Sequence, residues 1–199
     1  MVRTPRQDAP GRFHHIYNRA ARRAVLFADK RDFRYFKLLL ACAVRRGELD
    51  IHGYCLMSTH FHLLAASPDG RISYTMMRIQ NAYARYRNRR NRQDGPVFRG
   101  RFGSRPTTSF VYWVTLLRYL AHNPLEAGLC KHPFQYPHGS AMYFAAARSV
   151  RWFNKSGVTE RLERSGAALH TSRDFAGLIR APLTKGEAEL IERRICLLY

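Results

Sequence analysis

The sequence predicts an α+β protein: a ferredoxin-like, split βαβ unit with a four-stranded antiparallel sheet, one added helix and a helical C-terminal extension. Three observations carry this. Segments with strand and helix signatures follow one another in the order strand, helix, strand, strand, helix, strand. Gly, Pro, Asp and Ser fall between most of them. A further helical stretch then follows the fourth strand.

The first strand is Phe13 to Arg19, apolar and aromatic after the turn signal Pro10-Gly11. From about Lys30 to Arg46, Phe33, Phe36, Leu40, Ala43 and Val44 recur at helical spacing, and Gly47 is a natural stop. Leu49 to Met57 reads as the second strand. Ser58-Thr59 turns into a third, His60 to Ala66, which Pro68-Asp69-Gly70 closes. Ile72 to about Asn91 is the second helix, with Met76, Ile79, Ala82 and Tyr83 as its apolar stripe and an intensely basic end. The Gly-rich GPVFRGRFGS leads to a short extended stretch near Arg105 to Thr108, where Pro106 implies a sheet edge. Phe110 to Asn123 is the added helix, and Pro124 is expected to end it. In this topology the first and third strands are central. Residues 1–145 form the main domain, and residues 146–199 form a small basic helical extension available for DNA binding.

The 199 residues are 46% hydrophobic, enough to bury a core and too apolar for disorder. The charge is unusual: 34 Lys plus Arg against 14 Asp plus Glu, a formal net of +20. An excess made mostly of arginine favours a polyanionic partner, because the guanidinium fork grips phosphate. Cys42, Cys55, Cys130 and Cys196 are scattered, with neither zinc-ribbon spacing nor a disulfide framework, which suits a reducing cytoplasm. The polar start has no signal-peptide core, and no apolar run reaches the roughly 18 residues a membrane span needs.

Two segments carry the chemistry. His60-Phe61-His62 lies on the third strand, where side chains two apart project from one face. Tyr119 and Asn123 lie four apart on the added helix and share a face there. Together they could supply two imidazoles, a carboxamide oxygen and a nucleophilic phenol around one metal ion, a set suited to cutting a nucleic-acid strand. Each alone also has an ordinary reading: a half-buried histidine, a core tyrosine, a cap or turn asparagine.

Taken together, FHHIYNR, GYCLMSTHFHLL, QNAYARYRNRR, GPVFRGRF and LRYLAHNPLEAGL resemble the REP-associated tyrosine transposases, single-tyrosine members of the HUH family, in order and spacing. The resemblance spans roughly Gly11 to Tyr143. It departs at Ser58-Thr59, where the family usually has Pro-Asn, and at Leu125-Glu126, where it commonly has Val-Arg.

The resemblance implies a divalent metal ion, Mg²⁺ or Mn²⁺, held by His60, His62 and Asn123, with Tyr119 as nucleophile. Mixed N/O ligation suits Mn²⁺ and tolerates Mg²⁺. The implied activity is that of a single-strand DNA endonuclease and strand transferase acting on REP-type palindromic hairpins through a 5′-phosphotyrosine. The protein would work in the cytoplasm at the nucleoid, as monomer or homodimer and without membrane. A domesticated hairpin binder without catalysis is the rival reading. Tyr112, Tyr83 and Tyr86 compete for the nucleophile's role. Arg85, Arg87, Arg89 and Arg90 are expected to track phosphates, unless the arginines are simply a solvated face and Tyr83 core. Arg99 and Arg101 in the Gly-rich connection are further phosphate candidates, with an ordinary basic loop as the alternative. His15 matches a family position and either lines the site or serves strand one, while His122 points elsewhere.

Overall fold

The structure, a computed structural model, describes residues 8–146, 149–165 and 172–196. Its first half follows the order the sequence predicts: β1 Phe13–Arg19, α1 Lys30–Arg45, β2 Asp50–Leu56, β3 His60–Ala66, α2 Ile72–Asn91, β4 Gly103–Pro106 and α3 Phe110–Glu126. The strand order is β2-β3-β1-β4 with every neighbour antiparallel, so β1 and β3 are central and β4 is an edge. This is the ferredoxin-like arrangement.

Local chemistry sets the boundaries. Asp29 caps α1 by accepting from the Arg31 and Asp32 amides, and Gly47 follows with φ +71. The Ser58-Thr59 loop is closed by Met57 N donating to His60 O at 2.8 Å. Ser109 caps α3 through the Tyr112 amide. Two boundaries differ from the sequence pattern. The fourth strand lies two residues earlier than expected, at Gly103–Pro106, because Gly103 sits beneath the ring of Tyr17. And α3 continues through Pro124 to Glu126. Only the bond to Leu120 is forfeited there, while Ala127 N donates to Asn123 O at 3.2 Å and Leu129 N to Pro124 O at 2.8 Å. Gly128, with φ +67, then closes the chain off the helix.

The two sheet faces have different cover. On one, Phe36 of α1 packs on Phe61, with centroids 5.0 Å apart, and on Tyr83 of α2 at 5.2 Å. On the other lies α3, so close over β2 that a Cβ on Gly53 would stand 2.9 Å from Leu120 Cδ1. A bulge between Ile51 and Gly53 makes His52 the extra residue of β2.

Beyond α3 come α4 Met142–Ala145, α5 Lys155–Glu163, α6 Ser172–Arg180 and α7 Lys185–Cys196. The last two are fastened to α3. Arg118 donates to Glu187 and to the carbonyls of Ala181 (3.1 Å) and Pro182 (2.6 Å), and His122 Nε2 donates to Ile179 O at 2.9 Å. The side chains of Arg193, Arg194 and Cys196 lie outside the described residues; Cys42, Cys55 and Cys130 are free thiols. No helix among the described residues is long and apolar enough to cross a membrane.

Candidate active site

β3 and α3 bring the four singled-out residues together. His60 opens β3 and His62 follows two residues on, so both face α3. Their ring centroids are 5.0 Å apart. Tyr119 reaches down from α3 until its ring lies 5.6 Å from that of His62, nearly perpendicular to it. Asn123, one turn further on, shares a side-chain hydrogen bond with His60. Of the two tyrosines on α3, Tyr119 is the one in ring contact with the histidines; Tyr112 is buried two turns away at the start of the helix.

Both histidines are braced on the same ring nitrogen. Thr59 Oγ1 lies 3.0 Å from His60 Nδ1, and His15 Nε2 lies 2.9 Å from His62 Nδ1. His15 is fully buried and reaches His62 because β1 and β3 pair in register, Tyr17 opposite His62. Burial, followed by the charges His15 and His60 would carry, holds His62 well below the usual histidine range. Burial also lowers His60, against the pull of its bond to Asn123. Burial takes His15 down to about 3. The rings are therefore neutral near pH 7, the form that binds metals.

Among the described residues no group of three or more His, Cys, Asp or Glu is arranged so that it could hold a metal ion by itself. The third donor beside this pair is the Asn123 amide. Two neutral imidazoles, each with its Nδ1 occupied, and a carboxamide oxygen fit a divalent ion that accepts N and O ligands. Ligation through His62 Nε2 would put the shared proton on His62 Nδ1, donated to His15.

The arginines divide. Arg87 is buried and donates to Asp32 and to Val25 O, each at 3.1 Å. Arg90 pairs with Asp29 and Asp32. These two hold α2 to α1 rather than face a strand of DNA. Arg85, Arg89, Arg99 and Arg101 are exposed. Tyr83 is a core residue whose hydroxyl donates to Leu26 O at 2.7 Å, and Tyr86 stacks on Tyr35.

Sequence reasoning missed three residues at the site. Thr59 braces His60, and Tyr17 packs its ring 6.0 Å from that of His62. Arg19 stands opposite His60 in the β1–β3 register, and its charge lowers the His60 pKa. The signal for Tyr17 and Arg19 was period-two alternation along FHHIYNR, which puts His15, Tyr17 and Arg19 on one face.

No known protein-family description matches the chain, and no curated protein matches it. Among solved structures, it is similar to a REP-associated tyrosine transposase bound to a REP hairpin, at 15% identity and TM-score 0.63, covering 74% of this chain and 87% of that one. A transposase-like protein from Deinococcus radiodurans aligns at 17% identity over 59% of this chain and 95% of its own, with TM-score 0.41. The first of these shares the fold of this chain.

Proposed function

We propose that this protein is a REP-associated tyrosine transposase, cutting and rejoining single-stranded DNA at palindromic hairpins. The observation that carries the reading is the meeting of Tyr119 and Asn123 on α3 with His62 and His60 on β3. It is supported by a fold shared with a protein solved on a REP hairpin and by a formal charge of +20. In the reaction, Tyr119 Oη attacks the scissile phosphorus in line with the leaving 3′ oxygen. An O–P bond to tyrosine forms as the P–O3′ bond breaks. The phenol proton is lost and the 3′ oxygen takes one up, leaving a 5′-phosphotyrosine and a free 3′-hydroxyl. A second 3′-hydroxyl reverses the step, so rejoining needs no external energy source.

A divalent ion, Mg²⁺ or Mn²⁺, held by His60, His62 and Asn123, would supply Lewis-acid polarisation of the phosphate. The chain's own residues do the rest. His15 and Thr59 fix the imidazole orientations, and α3 aims the phenol. Arg19 is a cation placed to draw in phosphate, and Arg85, Arg89, Arg99 and Arg101 are exposed for contacts along the strand. The four site residues meet within one chain, and the protein would work as a monomer or homodimer. Work on DNA would put the protein in the cytoplasm, at the nucleoid, and the extension from residue 146 is a further candidate for hairpin contacts.

The test is incubation with labelled single-stranded REP-type hairpins and Mn²⁺ or Mg²⁺ beside a Tyr119→Phe control. A denaturant-resistant protein–DNA band that needs metal and disappears in the control is expected. Cleavage surviving in Tyr119→Phe would move the nucleophile elsewhere. Tight hairpin binding without an adduct would leave only a binding protein.

A further inference from the structure

The corner between α6 and α7 presents two prepared helix ends to α3. α7 opens with a capping box over Thr184-Lys185-Gly186-Glu187: Thr184 N donates to Glu187 Oε2 at 2.8 Å, and Glu187 N donates to Thr184 Oγ1 at 3.2 Å. The glutamate side chain is thereby fixed, and its Oε1 receives Arg118. On the other side of the corner, the end of α6 leaves carbonyls that no further helical turn satisfies. Arg118 donates to those of Ala181 at 3.1 Å and Pro182 at 2.6 Å, and His122 Nε2 to that of Ile179 at 2.9 Å. A cation at that end also complements the dipole of α6. Ile179 and Ile191, one from each helix, are fully buried, so apolar packing holds α6 and α7 as well.

Both holds on α3 sit directly beside the reacting residues. Arg118 and His122 are four apart and share one stripe of the helix. Tyr119 and Asn123, each the next residue along, share the adjoining stripe, about 100° around the axis. The Arg118 side chain is only 11% exposed, so it is enclosed by protein acceptors and does not face a phosphate. Beneath the helix, Leu117 and Leu120 close over Gly53, where β2 offers no side chain to interlock with a ridge of α3. That contact sets the height of α3 above the sheet and leaves its rotation and slide to other holds. The α6–α7 corner is such a hold, placed one residue from the nucleophile.

We propose that Arg118 is a positioning residue: through it the α6–α7 corner sets the rotation of α3, and hence the placement of Tyr119 and Asn123 against His62 and His60. The proposal rests on the reading of Tyr119 as nucleophile given above. It gives the C-terminal extension a part in the cleavage step itself, separate from any hold on the hairpin. A phenol must meet phosphorus in line, and a misplacement of about 1 Å costs about a hundredfold in rate.

Single-turnover adduct formation by the full-length protein, at saturating REP-type hairpin and Mn²⁺, tests it. Arg118→Ala should slow the covalent step about ten- to hundredfold and leave hairpin affinity unchanged. Glu187→Gln keeps a capping oxygen for Thr184 but loses the charge, and should slow the step in the same direction by less. Arg180→Ala removes an exposed positive charge from the same corner and should change neither quantity. With 3-fluorotyrosine in place of Tyr119, the fluorine resonance should shift or broaden in Arg118→Ala and Glu187→Gln but not in Arg180→Ala. Thermal melts monitor folding, and if Arg118→Ala does not fold, Glu187→Gln decides. Weaker hairpin binding with an unchanged covalent step would overturn the positioning role and give Arg118 to DNA contact. An unchanged rate with an unchanged fluorine signal would overturn it too, leaving the corner as packing alone. Absence of any adduct from the unsubstituted protein would overturn the transposase reading, and the fluorine signal alone would then decide whether the corner sets Tyr119.

Discussion

Each candidate residue makes a separable demand. His15 touches no DNA in the proposed reaction, yet it holds the Nδ1 of His62. His15→Gln should lower Mn²⁺ affinity by about 10- to 100-fold, the usual effect of removing a partner of a ligating histidine. Titration calorimetry on the variant checks this; unchanged affinity would remove His15 from the site. The arginines predict opposite outcomes from one helix. Arg85→Ala should leave the melting temperature unchanged, weaken single-stranded DNA binding and reduce the slope of log affinity against log salt by roughly 0.7. Arg87→Ala should instead destabilise the protein by about 3–5 kcal/mol, since it strips a donor from Asp32, a fully buried carboxylate. Denaturant titration beside DNA binding separates the two, and equal stability would count against the inward reading of Arg87. The meeting of His60, His62, Tyr119 and Asn123 was legible in the sequence because each pair sits on one element, where period two or period 3.6 dictates which side chains converge. Arg87 and Arg90 were not, because their carboxylate partners lie more than fifty residues earlier in the chain.

At the scale of elements, the helix ends show where local rules apply and where they are overridden. Residue Arg92 ends α2 in the left-handed region at φ 51, ψ 44, a conformation that glycine adopts without a Cβ penalty. Arg92→Gly should therefore raise stability by about 0.5–1 kcal/mol, read as a higher denaturant midpoint. A lower midpoint would mean that the arginine side chain holds something in place. Pro124 taught the reverse lesson. Its position predicts a helix end, but a proline one turn from a natural end removes a single bond, and packing of α3 against the sheet carries the helix past it. The β2 bulge was equally hidden, because IHGYCLM reads as unbroken alternation and only pairing with β3 reveals the extra residue. Strand existence, strand order and the edge position of β4 were legible; register was not.

The whole molecule is basic and carries several histidines buried in neutral form, which ties its stability to pH. His138 lies flat on Phe33 at 3.6 Å between centroids, and burial, with Lys37 and Lys30, takes its pKa down to about 4. Burial takes His15 to about 3. The unfolded chain takes up these protons near pH 6.5, the folded protein only far below. Stability is thus fully present above about pH 6.5 and is lost as pH falls toward 4. Melting temperatures between pH 7.5 and 4.5 should decline, and His138→Phe should flatten part of the decline; a flat profile in the unsubstituted protein would refute the assignment.

Two glycines give the molecule an unexpected profile of tolerance to change. A methyl group at Gly103 would strike the ring of Tyr17 at 2.3 Å, and one at Gly53 would press on Leu120 at 2.9 Å. In a saturation library scored by DNA cleavage, both positions should be depleted of bulky replacements, although neither carries a reactive group. Such a map would mark them beside Tyr119 as sensitive positions. Only a parallel score for folded abundance would reveal that Gly53 lets α3 lie close on β2 and that Gly103 makes room for the ring of Tyr17.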